Sequence, residues 1–246
     1  MTLDRALYRN SAMFFAVFFA AAVWAFWPSY FSRLFDQPDI RFHLHGIAMT
    51  LWCAMLIAQA ALIRAHRRGI HRQLGKLSYV LAPALVITTA TFVHFRIQGA
   101  LQGVTSPNAV YFFLALTLNA LVVFVILYGL AIYHRREPAV HARYMICTVF
   151  PLFSPVTDRL ISAHFRPLMA FVPWVDGTPI LPVAGFALAD AILICLSIWD
   201  WVSNRRLNVF PIALGLLVAY HVSVLTFHRL PAWHSFSAWF ASLPLS

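Results

Sequence analysis

The sequence predicts an all-α protein, a polytopic bundle of transmembrane helices. Three observations carry that expectation. Of 246 residues, 61% are hydrophobic and only 11% charged, where a soluble domain carries about 25% charged residues. The apolar residues gather in seven runs, each near the roughly 20 residues that a helix needs to cross about 30 Å of hydrocarbon. Lys and Arg fall between those runs in short clusters, as topology signals do. The formal charge of +10 therefore marks orientation, not nucleic-acid binding. The chain reads as one integral membrane domain, 1–246, of a bacterial-type inner (plasma) membrane, with a histidine-bearing four-helix core at 41–165.

The expected spans are 11–31, 43–63, 77–95, 109–133, 144–165, 180–201 and 209–227. The first follows a polar, mildly basic start; its Phe and Trp content and lack of a small-residue cleavage site predict a retained helix, not a signal peptide. The second opens on His43 and stops at Arg64. The third follows the basic stretch 64–76. The fourth is the longest uninterrupted apolar run. The fifth carries Pro151 and Pro155, which remove backbone donors and predict a kink. The sixth holds Asp190 and the seventh His221. The tail, 230–246, interleaves Trp and Phe with Ser and His and predicts a short interfacial helix. Trp24, Trp27, Tyr30, Trp174, Trp199 and Trp201 sit near span ends, as aromatic belts do.

Seven spans place the termini on opposite sides. The N-terminus (Arg5, Arg9), the second loop (Arg64, Arg67, Arg68, Arg72, Lys76), the fourth (Arg135, Arg136, Arg143) and the sixth (Arg205, Arg206) hold twelve basic residues. The other side holds five, Arg33, Arg41, Arg96, Arg166 and Arg229. That asymmetry predicts a cytoplasmic N-terminus. Cys53, Cys147 and Cys195 all lie in apolar runs, which predicts small packing residues and no disulfide framework. Gly-rich phosphate loops, CxxC pairs and GxSxG elbows are absent, so nucleotide-driven chemistry has no visible home.

Eleven histidines in so apolar a chain direct attention to chemistry, because imidazole in or near hydrocarbon needs a partner. His66, His71, His134 and His141 fall at the expected cytoplasmic ends, and His43, His45, His94, His164 and His228 at the opposite ends, with His221 deeper. His71 and His94 bracket the third span at a separation of 23 residues, and His141 and His164 bracket the fifth at the same separation. At 1.5 Å per residue each pair is about 34 Å apart, one imidazole near each membrane face. If the third and fifth helices were neighbours, each face would offer two opposed imidazoles, the arrangement of a bis-histidine haem b site. Within one ideal helix, 23 residues correspond to roughly 140° of rotation, so the two histidines do not share a face.

Several short motifs bear on this. They are His43-Leu44-His45-Gly46, followed by Trp52 and Gln59; His71-Arg72-Gln73-Leu74-Gly75 with Tyr79; and His141-Ala142-Arg143-Tyr144-Met145, ending at Arg159. Over 41–165 the chain resembles an uncharacterised bacterial membrane-protein family with HxHG, HRxLG and HxRxM motifs. That family in turn looks distantly like the membrane cytochrome b ferric reductase and ascorbate oxidoreductase proteins. The resemblance implies haem b held by helix-end histidines and a redox or electron-transfer role, and it nominates His45, His71 and His141 first, with His94, His164 and Arg159 around them. The fourth span departs from the two-haem pattern: it has His134 at one end and no histidine near Asn108 to Tyr111.

Asp158 and Arg159 in the fifth span and Asp190 in the sixth would each cost several kcal/mol facing lipid. The plainer expectation is an Arg159–Asp190 or Arg159–Asp158 pair that fixes packing. The functional one has Arg159 holding an anionic group, such as a haem propionate or a lipid phosphate, with Asp158 moving protons. His221 and His228, seven residues apart, lie within about 20° of one face and with Asp158 form a candidate zinc site for a membrane hydrolase. Zinc, copper or iron stand as alternatives to haem. The remaining functional class is a non-enzymatic transporter, chaperone or accessory subunit of a membrane complex, in contact with the bilayer and a partner but not with nucleic acid.

Overall fold

Hydrocarbon leaves a backbone amide no partner but another backbone group, so apolar runs of this length fold as helices. The computed structural model describes residues 2–37, 39–102 and 107–245, with backbone alone at 101 and 102. Among them are ten α-helices: α1 (Leu3–Phe26), α2 (Ile40–Arg64), α3 (Arg68–Lys76), α4 (Ser78–Gln102), α5 (Pro107–Tyr133), α6 (Pro138–Cys147), α7 (Phe153–His164), α8 (Pro182–Asn204), α9 (Phe210–Thr226) and α10 (Pro231–Ser242). Six helices are long and apolar enough to cross a bilayer: α1, α2, the α3–α4 stretch, α5, α8 and α9 with the turn that follows it. Their outward positions include Val17, Val80, Val122 and Val202, all well exposed, as lipid-facing surfaces are.

The expected fifth span departs from a single helix. α6 ends at Cys147, a 3₁₀ turn occupies Phe150–Leu152, and α7 begins at Phe153. Pro151, lacking an amide proton, sits within that turn, and Pro155 falls in the first turn of α7, where a missing donor costs least. α7 packs between α1 and α8, and α6 packs on α5 and α9. The long helices close a ring in the order α1, α2, α4, α5, α9, α8, with α7 completing the circuit back to α1. α8 approaches α7 closely at Gly185, where an added Cβ would stand 2.5 Å from Ser154 Cα. The core runs through the ring on Trp52, Phe124, Leu127, Phe150, Leu193, Phe210 and Leu217, all essentially buried.

Hydrogen bonds define two ends of the bundle. At one, Tyr8 Oη donates to the Ile63 carbonyl and Arg64 to the Arg9 carbonyl, while Asp4 meets Arg143 and Arg206. The basic segments at the N-terminus, 64–76, 135–143 and 205–206 thus lie together. At the other end a two-stranded hairpin, β1 (Trp174–Val175) and β2 (Thr178–Pro179), turns through Asp176 and Gly177. Both turn residues have positive φ, 48° and 77°, which is why an Asp-Gly pair serves there. α10 covers this end against α4 and α5, where the amphipathic tail predicts a helix.

Candidate functional site

At the basic end, the sequence reading treats Arg143 as a loop charge; the structure corrects this. Arg143 is 1% exposed and pairs with Asp200, 2% exposed, and with the partly exposed Asp4. Asn204 donates to the same Asp200 oxygen. The pairing ties the start of α1 and the end of α8 to α6, and only the fold reveals it, because these residues lie 139 and 57 positions from Arg143. Cys53 and Cys147 are buried as expected, whereas Cys195 faces outward.

His71 (α3) and His141 (α6) also stand near this end, within electrostatic range of each other. His141 donates from Nδ1 to the Ala131 carbonyl at 2.8 Å, which leaves its Nε2 lone pair available. Among the described residues His71 Nδ1 is buried with no hydrogen bond of full geometry, the Gln59 backbone standing near it, and both side-chain amide atoms of Gln59 on the preceding helix are likewise unbonded. His134 is occupied by Glu137 at 2.8 Å, and His66 by Tyr8.

The outer histidines do not assemble into a facing pair. His94 is fully buried against the edge of Phe240 on α10, with neither ring nitrogen bonded among the described residues. His164 instead donates from Nε2 to the Trp24 carbonyl of α1 at 3.0 Å and rests on the Trp24 ring. The reason is topological: α4 borders α2 and α5 in the ring, while α7 borders α1 and α8. His43 contacts Tyr30. His45 lies flat on Phe92 and bonds Thr89 through Nδ1 at 3.2 Å.

Between these elements, toward the hairpin end, a cavity of about 510 Å³ opens among α1, α5, α7, the hairpin and α9. Ala25, Phe112, Phe113, Leu116, Ile180 and Val224 give it apolar walls, and Asp158, Arg159 and Ser162 give it its polar side. Arg159 enters no ion pair among the described residues, so the expected structural pair with Asp158 or Asp190 is not what the fold builds. Adjacent residues on a helix point about 100° apart, which separates Arg159 from Asp158, and Asp190 is engaged elsewhere. The guanidinium stacks over the Phe26 ring at 4.5 Å and reaches only its own helix, at the Pro155 carbonyl 3.4 Å away. Asp158, Arg96 and His45 lie within electrostatic range of it. Asp158 Oδ1 is buried and unpartnered among the described residues. The arrangement therefore sets Arg159, with Arg96 in range, against apolar walls and the carboxyl of Asp158, a setting in which an anion's Coulomb attraction to the guanidinium is strong. Arg96 is the contributor that the sequence reading missed, having counted it only as topology.

The candidate zinc set is dispersed. His221 is held by Asp190, Nδ1 to Oδ2 at 3.1 Å, and lies flat on Phe186. His228 is held by Asp176 at 2.6 Å and lies on Phe112. Asp158 joins neither, and among the described residues no group of three or more His, Cys, Asp or Glu side chains is placed to hold a metal ion. The seven-residue spacing would align the two histidines on one continuous helix, but α9 ends at Thr226, His228 falls in the 3₁₀ turn that follows, and each meets a carboxylate on a different element. Asp176 also accepts from Arg229, and these two donors, Arg229 foremost, hold its carboxyl down at about 2.

No protein-family profile matches the chain, and no curated protein or solved structure gives a significant match.

Proposed function

We propose that this is a seven-crossing membrane protein, with α6 and α7 together making the seventh crossing, that binds an anionic amphiphile in the Arg159 cavity as a non-enzymatic carrier or binding component. The N-terminus lies on the cytoplasmic side and the cavity opens outward, because the basic segments gather at the opposite end of the bundle. The observation that carries the reading is Arg159, a guanidinium in a largely apolar cavity that forms no ion pair among the described residues. Arg presents planar, bidentate donors suited to a phosphate or carboxylate, and the aromatic and aliphatic walls suit an acyl or ring portion. The volume is in the ordinary range of small-molecule sites.

The test is thermal-shift and equilibrium binding on the purified protein with a lysophospholipid bearing a phosphomonoester, a fatty-acid carboxylate and inorganic phosphate. Wild type binds an amphiphilic probe, and Arg159→Gln assembles normally while losing at least about tenfold in affinity, the scale of one charge-assisted hydrogen bond. Equal binding by Arg159→Gln, or no binding by wild type, overturns the reading.

A second reading rests on the other end. On this reading His71 and the Nε2 that His141 leaves free would hold one haem b or metal ion, and the His141 contact to Ala131 would be the orienting hydrogen bond such ligands use. When bound, that group would supply one-electron chemistry. His94 and His164 do not fit a second group. A reduced-minus-oxidised b-type spectrum that disappears in His71→Ala and in His141→Ala supports it; a colourless folded protein from haem-sufficient cells, free of stoichiometric metal, removes it.

A further inference from the structure

The Asp190–His221 contact lies within the bundle, between α8 and α9, away from both bundle ends. His221 is buried, stacked at 3.9 Å on Phe186, and engages Asp190 through Nδ1. The second carboxylate oxygen, Asp190 Oδ1, is buried and has no partner among the described residues. One position back on α9, Tyr220 Oη meets Ser154 Oγ of α7 at 3.4 Å. One turn further along the same helix, Val224 forms part of the cavity wall, about 4.5 Å along the axis from His221.

The ionisable groups on the packed elements are few. α7 supplies Asp158 and Arg159, both in the cavity, and at its end His164, which donates to the Trp24 carbonyl. α9 supplies Tyr220, and beyond it His228 and Arg229 are taken by Asp176. α5 carries only Tyr111, Tyr128 and Tyr133, with no charged residue or histidine. The charged residues of α1 (Asp4, Arg5, Arg9), His141 and Arg143 of α6 and Asp200 of α8 stand at the basic end.

We propose that Asp190 and His221 form a proton-binding site coupled to the anion cavity, so that binding of the anion is accompanied by uptake of one proton from water by this pair. The inference rests on the anion-binding reading of Arg159. With one proton the pair is neutral overall, whether as carboxylate and imidazolium or as carboxylic acid and imidazole; without it the pair carries one negative charge. An anion held in the cavity, whose wall includes Val224 one turn along α9 from His221, disfavours the negative state in a medium of low dielectric. By linkage, a proton on the pair strengthens anion binding by the same factor that the anion strengthens proton binding. Gly185, which lets α8 close onto α7, keeps the pair and the cavity helix in one packed unit.

The experiment is calorimetric binding of an anionic lysophospholipid with a phosphodiester headgroup, which unlike a phosphomonoester keeps a constant charge over this range, to the full-length protein in buffers of differing ionisation enthalpy, from pH 5 to pH 8. Wild type takes up as much as one proton per probe, and its affinity falls up to tenfold per pH step where uptake is complete. Asp190→Asn and His221→Gln still bind the probe, with uptake abolished and a flat pH profile. Binding without proton uptake in wild type overturns the inference and leaves the cavity reading intact. Uptake that persists in Asp190→Asn and His221→Gln but vanishes in Asp158→Asn moves the proton to Asp158 and likewise overturns it. Absence of binding by wild type is the separate failure of the cavity reading, and takes the coupling with it.

Discussion

Arg143 and Asp200 face each other at 2.9 Å with both side chains almost wholly removed from solvent. Buried pairs of this kind add little net stability when intact and are costly to break, because the survivor is left charged in low dielectric. Asp200→Ala is therefore expected to destabilise the protein by about 3–5 kcal/mol. Asp4→Ala removes a partner that is 42% exposed and costs about 1 kcal/mol or less. Denaturation in mild detergent, followed by circular dichroism, separates the two; equal losses would show that the buried partner does not dominate.

Gly185 and Gly215 give a paired test of helix packing. A methyl at Gly185 meets the Ser154 backbone, whereas one at Gly215 meets nothing within 4 Å. Gly185→Ala should cost about 1–3 kcal/mol through overpacking. Gly215→Ala should be neutral or stabilising by up to about 1 kcal/mol through helix propensity. The melting temperatures of the two variants check this, and a Gly185→Ala protein as stable as wild type would place α7 and α8 further apart.

Asp176 links the hairpin to the end of α9. Arg229 and His228 hold its carboxyl at about 2, below the roughly 3.9 of an unfolded aspartate. A depressed folded-state value means that the contribution is fully present above the unfolded value and is lost as pH falls through the folded one. Asp176→Asn keeps a residue that tolerates the left-handed turn and removes the charge. Wild type should melt above the variant at pH 6, with the gap closing between about pH 4 and pH 2. A gap independent of pH would assign the effect to the turn instead of the charge.

His94 is buried with two ring nitrogens that find no partner among the described residues. Its surroundings include Val93, Ile97, Val110, Leu114 and Phe240, an apolar cluster. An unsatisfied buried polar group costs about 1–3 kcal/mol, so His94→Leu should leave the protein at least as stable as wild type. A loss above about 2 kcal/mol in chemical denaturation would show that the ring holds a partner.

Much of the fold was legible in the chain because apolar length and the position of Pro are local quantities. The runs at 11–31, 43–63, 77–95, 109–133, 180–201 and 209–227 each coincide with an apolar helix, extended at the ends by residues such as Leu3 and Arg64 that belong to the helix but not to the hydropathic run. Pro151 and Pro155 marked the interruption between α6 and α7, though not that two separate helices would pack on different neighbours. The Asp176-Gly177 hairpin passed unnoticed because its strands are two residues each, too short for any alternation to show.

The site was less legible, since it depends on who stands beside whom. Composition and hydropathy determine a membrane bundle, its approximate spans and the scarcity of ionisable groups inside it, because those follow from the solvation of each residue taken singly. Which carboxylate each cation meets is a property of the ring order. α6 brings Arg143 to Asp4 and Asp200, α9 brings His221 to Asp190, and the hairpin brings Asp176 to His228. Once those acids are committed, Arg159 is left in a cavity without an ion pair among the described residues, with Asp158 as the one carboxylate in the lining. Spacing along the chain contains no term for that allocation, because an ion pair is decided by distances of a few ångströms between residues that can be more than a hundred positions apart.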